Sequence, residues 1–321
     1  MGLEVKNIVK SYGENVVVDH LSFSMKEPGV YALLGRNGAG KTTTIRIMLG
    51  MLAADEGEVL WNGKILDPFT TNIGYLAEER GLYPKYTLMD QLIYFANLKG
   101  ISETEAKKRI QYWAKRLEVE EYLYPKTSAK KTKRESKFSQ KKQIPSRLAD
   151  QLSKGNQQKI QLMASLISDP ELIILDEPLS GLDPVNSDLF KSIIRDCIKK
   201  EKYIIMSSHQ MPTIEEFCSD ITILNRGKAV VSGNLNDIKR SYGRVNMFVK
   251  CEADISQYIQ EFQIQIVEET PDGYHLKVTG EEQAEQFLTR LVEKRIPIIR
   301  YELREPSLHE IFVEKVGMVN E

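Results

Sequence analysis

The hydrophobic pattern of residues 1–240 alternates between short, unbroken apolar runs and longer segments with apolar residues every three or four positions. The runs at 30–34, 172–175 and 203–206 are typical of strands that are buried on both faces of a sheet. Apolar residues at helical spacing follow the first run, namely Ile45, Met48, Leu49 and Leu52. This succession predicts an α/β core in which several strands run parallel.

Two further patterns flank this core. Residues 3–30 and 57–66 contain short strand-like stretches separated by turn residues, which predict a small antiparallel β subdomain. Between Thr87 and Tyr122 the apolar residues return at helical spacing, so we expect a helical subdomain over about residues 80–165.

The pattern changes again after residue 243. Strand-like and helix-like segments follow in the order β-α-β-β-α-β, which is that of a small α+β ferredoxin-like fold. A final helix is predicted to begin at Ser307, with a capping box that Glu310 completes. We therefore expect a first domain at 1–240 and an accessory C-terminal domain at 241–321 that carries no catalytic constellation.

A glycine-rich corner joins the first buried run to the helix that follows it. It fits the P-loop pattern G-x-x-x-x-G-K-S/T, in which glycines let successive backbone N–H groups point at phosphate oxygens. The helix N-terminus adds its positive dipole end, the lysine reaches the β- and γ-phosphates, and the hydroxyl that follows can ligate Mg²⁺. A glycine-rich turn that binds nothing is the alternative, which the correct flanking elements disfavour. The predicted nucleotide-binding residues are Gly35, Arg36, Asn37, Gly38, Ala39, Gly40, Lys41, Thr42 and Thr43.

The other two buried runs end in polar residues that suit phosphate chemistry. Asp176 is placed to bind Mg²⁺, and Glu177 is placed to activate the water that attacks a γ-phosphate. An ordinary acidic pair on the surface is the other interpretation of these carboxylates. His209 follows the third run, at the strand end where ligands collect in open α/β sheets, and is predicted to contact the γ-phosphate.

The order of these motifs resembles that of the ABC ATPases over most of residues 1–240. LSKGNQQ at 152–158 is similar to their signature motif, SGLD at 180–183 to their D-loop, and SSH at 207–209 to their switch histidine. Tyr12 in KSYG is similar to the aromatic residue that stacks on adenine. The resemblance implies a P-loop NTPase core that binds ATP and Mg²⁺.

The same resemblance implies partners. Two ATPase domains pair head to tail as a homodimer or with a related subunit. Each ATP then lies between one phosphate loop and the Ser153 and Gly155 of the other copy, with Asp183 of the D-loop nearby. A helix that begins at Ser153 is also a general anion site. An integral-membrane permease is expected to dock its coupling helix on the helical subdomain.

Two residues depart from the family pattern. Glu78 stands where the Q-loop usually has glutamine, and we expect it to ligate Mg²⁺ or its water. Lys154 replaces the first of two signature glycines, and it either adds a charge that faces phosphate or points to solvent. The stretch EERGLYP at 78–84 resembles a subgroup of bacterial sodium and antibiotic efflux ATPases.

The charge distribution bears on possible binding partners. The formal net charge of −1 gives the whole chain no field of the kind that binds nucleic acid. Residues 126–147, within a predicted insertion at about 124–148, carry nine Lys or Arg against one Glu. They are either a solvated insertion or an arm that contacts anionic lipid or an acidic protein surface.

Three widely spaced cysteines predict reduced thiols, and no apolar run is long enough to span a bilayer. We expect a cytoplasmic protein, peripheral on the inner face of the cell membrane. Its expected function is ATP hydrolysis that energises a membrane exporter, with Glu177 and His209 as the catalytic residues. The alternative is a soluble ABC-type ATPase that acts on nucleic acid or the ribosome. Lys41 and Ser153 are too close in sequence for the long coiled coil of DNA-repair relatives, so nucleic acid is the less favoured partner.

Overall fold

The computed structural model of the protein describes residues 2–79, 81–125 and 146–317. They divide into two units. One runs to His209 and includes Thr222–Ala229, and the other comprises Gln210–Ile221 and the residues from Val230 onward. The predicted domains 1–240 and 241–321 remain predictions. The basic segment at 126–147 lies almost wholly outside the described residues.

The strands and helices follow one another along the chain with short connections. The strands are β1 Leu3–Tyr12, β2 Asn15–Met25, β3 Gly29–Gly35, β4 Glu56–Trp61, β5 Lys64–Ile65, β6 Ile73–Leu76, β7 Leu172–Asp176, β8 Tyr203–Ser208, β9 Asp220–Asn225, β10 Lys228–Asn234, β11 Asn246–Cys251, β12 Gln265–Thr270, β13 Gly273–Lys277 and β14 Ile298–Arg304. The helices are α1 Lys41–Met48, α2 Leu88–Leu98, α3 Glu103–Arg116, α4 Glu120–Leu123, α5 Lys154–Leu166, α6 Pro184–Lys199, α7 Met211–Phe217, α8 Leu235–Ser241, α9 Ser256–Glu261, α10 Glu281–Glu293 and α11 Leu308–Val316.

A six-stranded sheet forms the centre of the α/β architecture, with the strand order β10-β9-β3-β8-β7-β6. The pairs β3–β8, β8–β7 and β7–β6 are parallel. The side chains of β7 are all buried, as are nearly all of those of β3 and β8. The unbroken apolar runs are therefore central strands, and the parallel core predicted from the sequence is confirmed. The strands β6, β9 and β10 were not predicted.

The predicted antiparallel layer is a second sheet with the order β2-β1-β4-β5. Leu3, Ile8 and Leu21 of this sheet are fully buried in one hydrophobic cluster with Leu33 of β3 and Ile45 of α1. Ile47 and Met48 of α1 belong to the same cluster, so packing of this layer against the core buries apolar surface of α1.

The helices between β6 and β7 form the predicted helical subdomain. Side-chain caps fix where its helices begin, because Thr87 and Ser102 accept hydrogen bonds from the free backbone N–H groups of Asp90 and Glu105. Fully buried apolar residues on α2, α3 and α5 form the inner faces, namely Leu88, Leu92, Ala96, Ala106, Ile110, Ala114, Ile160 and Met163.

The C-terminal part of the second unit contains a four-stranded antiparallel sheet with the order β12-β13-β11-β14. Its core joins Met247, Val249 and Leu276 of the sheet to the fully buried Phe287 and Leu291 of α10. The sequence of elements and the strand order are those of a ferredoxin-like fold, as predicted. The capping box at Ser307 is also present, with Glu310 accepting from the Ser307 backbone N–H at 2.6 Å.

A helix among the described residues would need about 20 predominantly apolar residues to cross a bilayer. No helix in these residues combines the length and the apolar character needed to cross a membrane.

Candidate functional site

The phosphate loop connects the end of β3 to the start of α1. Gly38 and Gly40 have φ values of 79° and 105°, in the left-handed region that favours glycine. A Cβ on Gly40 would lie 2.7 Å from the backbone carbonyl oxygen of Val17 in β2, so no larger residue fits there. At Gly38 a Cβ would meet no protein atom, which leaves this side of the loop open to a ligand.

Lys41 is buried at the first position of α1. Its ammonium group donates to the carbonyl oxygen of Gly35 at 2.8 Å and lies 3.7 Å from the Glu177 carboxylate. The Thr44 hydroxyl donates to the Gly40 carbonyl at 2.9 Å and so fixes the helix start. The ammonium is therefore held between carbonyl oxygens of the loop and one carboxylate.

The remaining residues of the motif lie in the phosphate loop and in the first turn of α1. Arg36 and Asn37 are exposed, and the loop is closed by the Ala39 amide donating to the Arg36 carbonyl at 3.0 Å. Thr42 and Thr43 are half-buried in the first turn of α1. Their backbone N–H groups belong to the free donors of a helix N-terminus, which suit a phosphate.

Ser207 organises the two carboxylates at the end of β7. Its fully buried hydroxyl donates to Asp176 Oδ1 at 2.5 Å and accepts from the Glu177 backbone N–H at 2.9 Å. The parallel register of β7 and β8 places Asp176 opposite Ser207. One hydroxyl therefore sets the positions of both acidic residues.

Glu177 is held in an uncommon backbone conformation, with φ of 49°. Such a value is costly for a residue with a side chain and persists only where the surroundings enforce it. Its side chain is buried, and Oε2 lies 2.8 Å from Nδ1 of His209. The histidine is exposed, so it links a buried carboxylate to the solvent side of the site.

Asp176 has a feature that bears on metal binding. Its Oδ2 atom is buried and has no hydrogen-bond partner among the residues that the structure describes. A buried carboxylate oxygen without a donor is costly unless it meets a cation or its water. In the described ranges no group of three or more His, Cys, Asp and Glu residues could hold a metal by itself. The donors therefore fit a Mg²⁺ that phosphate oxygens help to bind, with Asp176 and Thr42 from the protein.

A second group of predicted residues lies at the neighbouring N-termini of α5 and α6. Ser153 caps α5, and its hydroxyl accepts a hydrogen bond from the Asn156 backbone N–H. Asp183 caps α6, and its carboxylate accepts from the Asn186 backbone N–H at 2.9 Å. The Asn186 backbone N–H, helped by the Asn186 side-chain amide, holds the pKa of the Asp183 carboxyl below its usual value. A Cβ on Gly155 would lie 3.3 Å from the Asn186 side-chain amide. The signature motif and the D-loop thus form one surface.

Within one chain these two groups of residues are not bonded to each other. No hydrogen bond or ion pair between described residues joins Ser153 or Gly155 to Lys41, Glu177 or His209. The described atoms thus bring the phosphate-loop lysine, both carboxylates and the histidine together, but not the signature residues.

Tyr12 and Glu78 are both outside the buried part of the site. Tyr12 ends β1, is 54 % exposed, and has the Lys10 ammonium 5.9 Å from its ring centroid. Glu78 is exposed and follows β6, whose Leu76 pairs with Leu175 of β7, so it leaves the sheet at the same edge as Asp176. Burial, together with the negative charges of Asp176, Glu79 and Glu78, raises the pKa of Tyr75 to about 12, so this phenol is neutral.

Sequence reasoning missed three residues that shape the site. The sequence placed Ser207 in the SSH motif at a strand end and gave it no role of its own, although its position opposite Asp176 follows once β7 and β8 are paired. Gly227 packs behind the phosphate loop, where a Cβ would lie 2.6 Å from the Val17 carbonyl oxygen. Gln91 is buried, and its side-chain amide bonds the Tyr83 backbone N–H and carbonyl and the Tyr86 carbonyl. Gln91 therefore holds the loop that follows Glu78.

Known protein families match both parts of the chain. Residues 18–180 match the family described as ABC transporter, and residues 233–316 match the C-terminal domain of DrrA1-3-like ATP-binding proteins. The chain is 40 % identical to the uncharacterised ABC transporter ATP-binding protein YhaQ of Bacillus subtilis, over 99 % of this chain and all of that one. It is 28 % identical to the bacitracin transport ATP-binding protein BcrA of Bacillus licheniformis, over 98 % and 97 % of the two chains.

A further relative is the linearmycin resistance ATP-binding protein LnrL of Bacillus subtilis, 27 % identical over 98 % of both chains. Among solved structures, an ATP-binding subunit of an ABC transporter superposes with a TM-score of 0.64 at 28 % identity. That match covers 75 % of this chain and 93 % of the other. The relatives are transporter subunits, so they give no support to the alternative of a soluble ATPase acting on nucleic acid.

Proposed function

The chain belongs to the ABC transporter ATP-binding proteins, which hydrolyse ATP to drive transport, and from this premise we propose that it energises an exporter by closing as an ATP-bound dimer. The observation that carries the proposal is the placement of Glu177. One of its carboxylate oxygens lies 3.7 Å from the Lys41 ammonium and the other 2.8 Å from His209. A carboxylate so placed can orient a water at the γ-phosphate that the lysine holds.

The residues of the first group then have distinct roles. The amides from Gly38 to Thr43 and the Lys41 ammonium bind the triphosphate, and exposed Arg36 and Asn37 border it. Glu177 accepts the proton of the attacking water, and His209 orients Glu177 and contacts the γ-phosphate. Tyr12 stacks on the adenine.

The metal ligands fit the same arrangement. Mg²⁺ would be held by the Thr42 hydroxyl and by Asp176, directly or through water, with Glu78 near its other side, and it would neutralise phosphate charge. Ser207, bonded to the Asp176 carboxylate and to the Glu177 backbone N–H, would keep both residues in position.

The second group completes the site in the other copy. Ser153 and Gly155 open α5 with free helix N-terminal donors and have no contact with the phosphate loop of their own chain among the described hydrogen bonds. A twofold head-to-tail dimer would set these donors against the γ-phosphate of the partner. Asp183, which adjoins Gly155 through Asn186, would enter the same interface.

The exporter assignment is supported by the relatives named for linearmycin resistance and bacitracin transport. The permease is proposed to dock beside the loop held by Gln91, where the aromatic rings of Tyr83, Tyr86 and Tyr94 are half or more exposed. The chain would then work at the inner face of the cell membrane, bound to that permease.

The test uses Glu177→Gln, which removes the base and keeps the shape. We expect turnover to fall by at least about a hundredfold, while MgATP converts the protein into a stable dimer on size exclusion. Glu171→Gln, at an exposed glutamate that precedes the same strand, is the matched control and should hydrolyse ATP normally. A Glu177→Gln variant that stays monomeric with saturating MgATP would contradict the dimer mechanism.

The basic segment 126–147 is proposed separately to contact anionic lipid. Each Lys or Arg near an anionic surface contributes about 1 kcal/mol to the binding free energy, and salt screens this attraction. Replacing its lysines with glutamine should reduce sedimentation with phosphatidylserine vesicles at low salt. Equal sedimentation of both proteins would dismiss the lipid contact.

A further inference from the structure

Two departures from the family pattern carry opposite charges. Lys154 adds a positive charge where the signature motif has glycine, and Glu78 adds a negative charge where the Q-loop has glutamine. Glu78 lies beside the group formed by the phosphate loop and the two carboxylates, whereas Lys154 lies in the group formed by the signature motif and the D-loop. The two charges would cancel only if these side chains came close together.

Lys154 is placed unfavourably for its own helix. It is the first residue of α5, next to the cap Ser153, where the positive end of the helix dipole disfavours a cation. No acidic residue lies in that first turn, and among described residues the Lys154 ammonium has no ion-pair partner. It lies over the D-loop, 3.2 Å from where a Cβ on Gly181 would be. The charge is therefore displayed on the surface formed by the signature motif and the D-loop.

Glu78 is a negative charge without a cationic partner among the described residues. It is exposed at the carboxyl edge of the sheet, close in register to Asp176, and no cation pairs with it in the part of the chain that the structure describes. A bound triphosphate would add further negative charge at this edge. Like charges at short range destabilise one another, and a single Mg²⁺ at this edge would leave part of the combined charge of Glu78, Asp176 and the triphosphate uncompensated. Glu78 therefore opposes nucleotide binding unless a further cation meets it.

We propose that in the ATP-closed dimer Lys154 of each copy faces the Glu78 of the other copy and neutralises it beside the γ-phosphate. The inference rests on the proposed head-to-tail dimer, which brings the α5 N-terminus of one copy to the phosphate loop of the other. Lys154 is then a positioning residue whose charge makes closure compatible with a glutamate in the Q-loop. The twofold axis places one such pair at each ATP.

A double-mutant cycle in the Glu177→Gln protein tests this pairing. Lys154→Gln should weaken MgATP-dependent dimerisation about tenfold when Glu78 is present, and less than about twofold when Glu78→Gln has already removed that charge. Analytical ultracentrifugation at fixed MgATP measures both dissociation constants. Lys154→Arg keeps the charge and should retain most of the dimer affinity.

Glu79→Gln is the matched control, since it removes the same charge one residue away on an equally exposed side chain. In that background Lys154→Gln should keep its full tenfold effect. An equal penalty for Lys154→Gln with and without the Glu78→Gln substitution would overturn the pairing, because the lysine would then act on phosphate alone. A Glu177→Gln parent that does not dimerise would instead refute the dimer itself.

Discussion

The nucleotide-binding edge and the C-terminal ferredoxin-like fold are built on opposite principles. The first buries Lys41, Asp176, Glu177 and Ser207, a set of charged and polar side chains held by one another. From Val230 onward, no described polar or charged residue is buried, and the core is apolar. The same chain therefore contains one region that is shaped for chemistry and one that is shaped for packing.

The difference shows where stability is given up for function. A buried carboxylate oxygen without a donor and a glutamate at positive φ each cost free energy, typically about 1–3 kcal/mol. From Val230 onward the comparable features of the described residues are the Tyr242 hydroxyl, which is buried without a hydrogen-bond partner, and the exposed Gln263 and Arg295 at positive φ. None of them is a buried charge, and apolar residues of α10 close the core. Variants in the first region should alter activity before stability, and variants in the second should do the reverse.

The largest expected effect is that of Lys41→Ala. Loss of a buried charge-assisted phosphate contact should weaken ATP binding by about a hundredfold or more and abolish turnover. The exposed Lys64 of β5 provides the control Lys64→Ala, which should bind ATP normally in a fluorescent-nucleotide titration. Unchanged affinity in Lys41→Ala would break the contrast between the two regions.

Phe287→Ala tests the packing region. The ring is fully buried between α10 and the sheet, so its removal should cost about 3–5 kcal/mol in the unfolding of that unit. ATP affinity should stay the same. Val292→Ala on the same helix, where the side chain is 60 % exposed, should change stability by less than about 0.5 kcal/mol. Denaturant unfolding followed by circular dichroism measures both.

Ser207→Ala sharpens the comparison, since it removes one hydroxyl and no charge. The Glu177 amide and Asp176 each lose a hydrogen bond, so turnover should fall by about tenfold to a hundredfold at nearly constant ATP affinity. Ser165→Ala removes a buried hydroxyl that donates only within its own helix, and it should be active. If both variants hydrolyse ATP equally, Ser207 does not position the carboxylates.

The smallest effect concerns the cysteines. Burial raises the pKa of Cys197 to about 11 and also raises that of the half-buried Cys251, so few thiolates exist at neutral pH. Because the thiolate is the reactive form, labelling should accelerate with pH up to these values. A disulfide reagent at pH 8 should label Cys251 a few-fold faster than Cys197, as read by mass spectrometry. Faster labelling of Cys197 would show that the first unit opens more readily.

Much of both regions could be predicted from the sequence, for different reasons. The C-terminal fold followed from the spacing of apolar residues such as Phe287 and Leu291, because periodicity directly reports which face is buried. The phosphate loop followed from its glycines and Lys41, since few other sequences can curl the backbone around phosphate.

Other features depend on residues that are distant in sequence. Ser207 could not be assigned its role before β7 and β8 were paired, and Gln91 binds a loop that no local pattern specifies. The strands β9 and β10 were missed because their short apolar stretches lack a motif. The predicted roles of Tyr12, Ser153, Gly155 and Asp183 remain predictions, since they depend on a nucleotide and a second copy.

Gly227 has a consequence for inherited variation in this protein. Its Cα and the Val17 carbonyl form a wall directly behind Gly40, and its amide donates to the Ala39 carbonyl at 3.1 Å. Gly227 is far along the chain from the motif. Alanine at this position would clash with the Val17 carbonyl and displace it toward the phosphate loop. In a saturation screen scored by ATP turnover, position 227 should tolerate as few substitutions as position 40, although it lies outside the phosphate-loop motif.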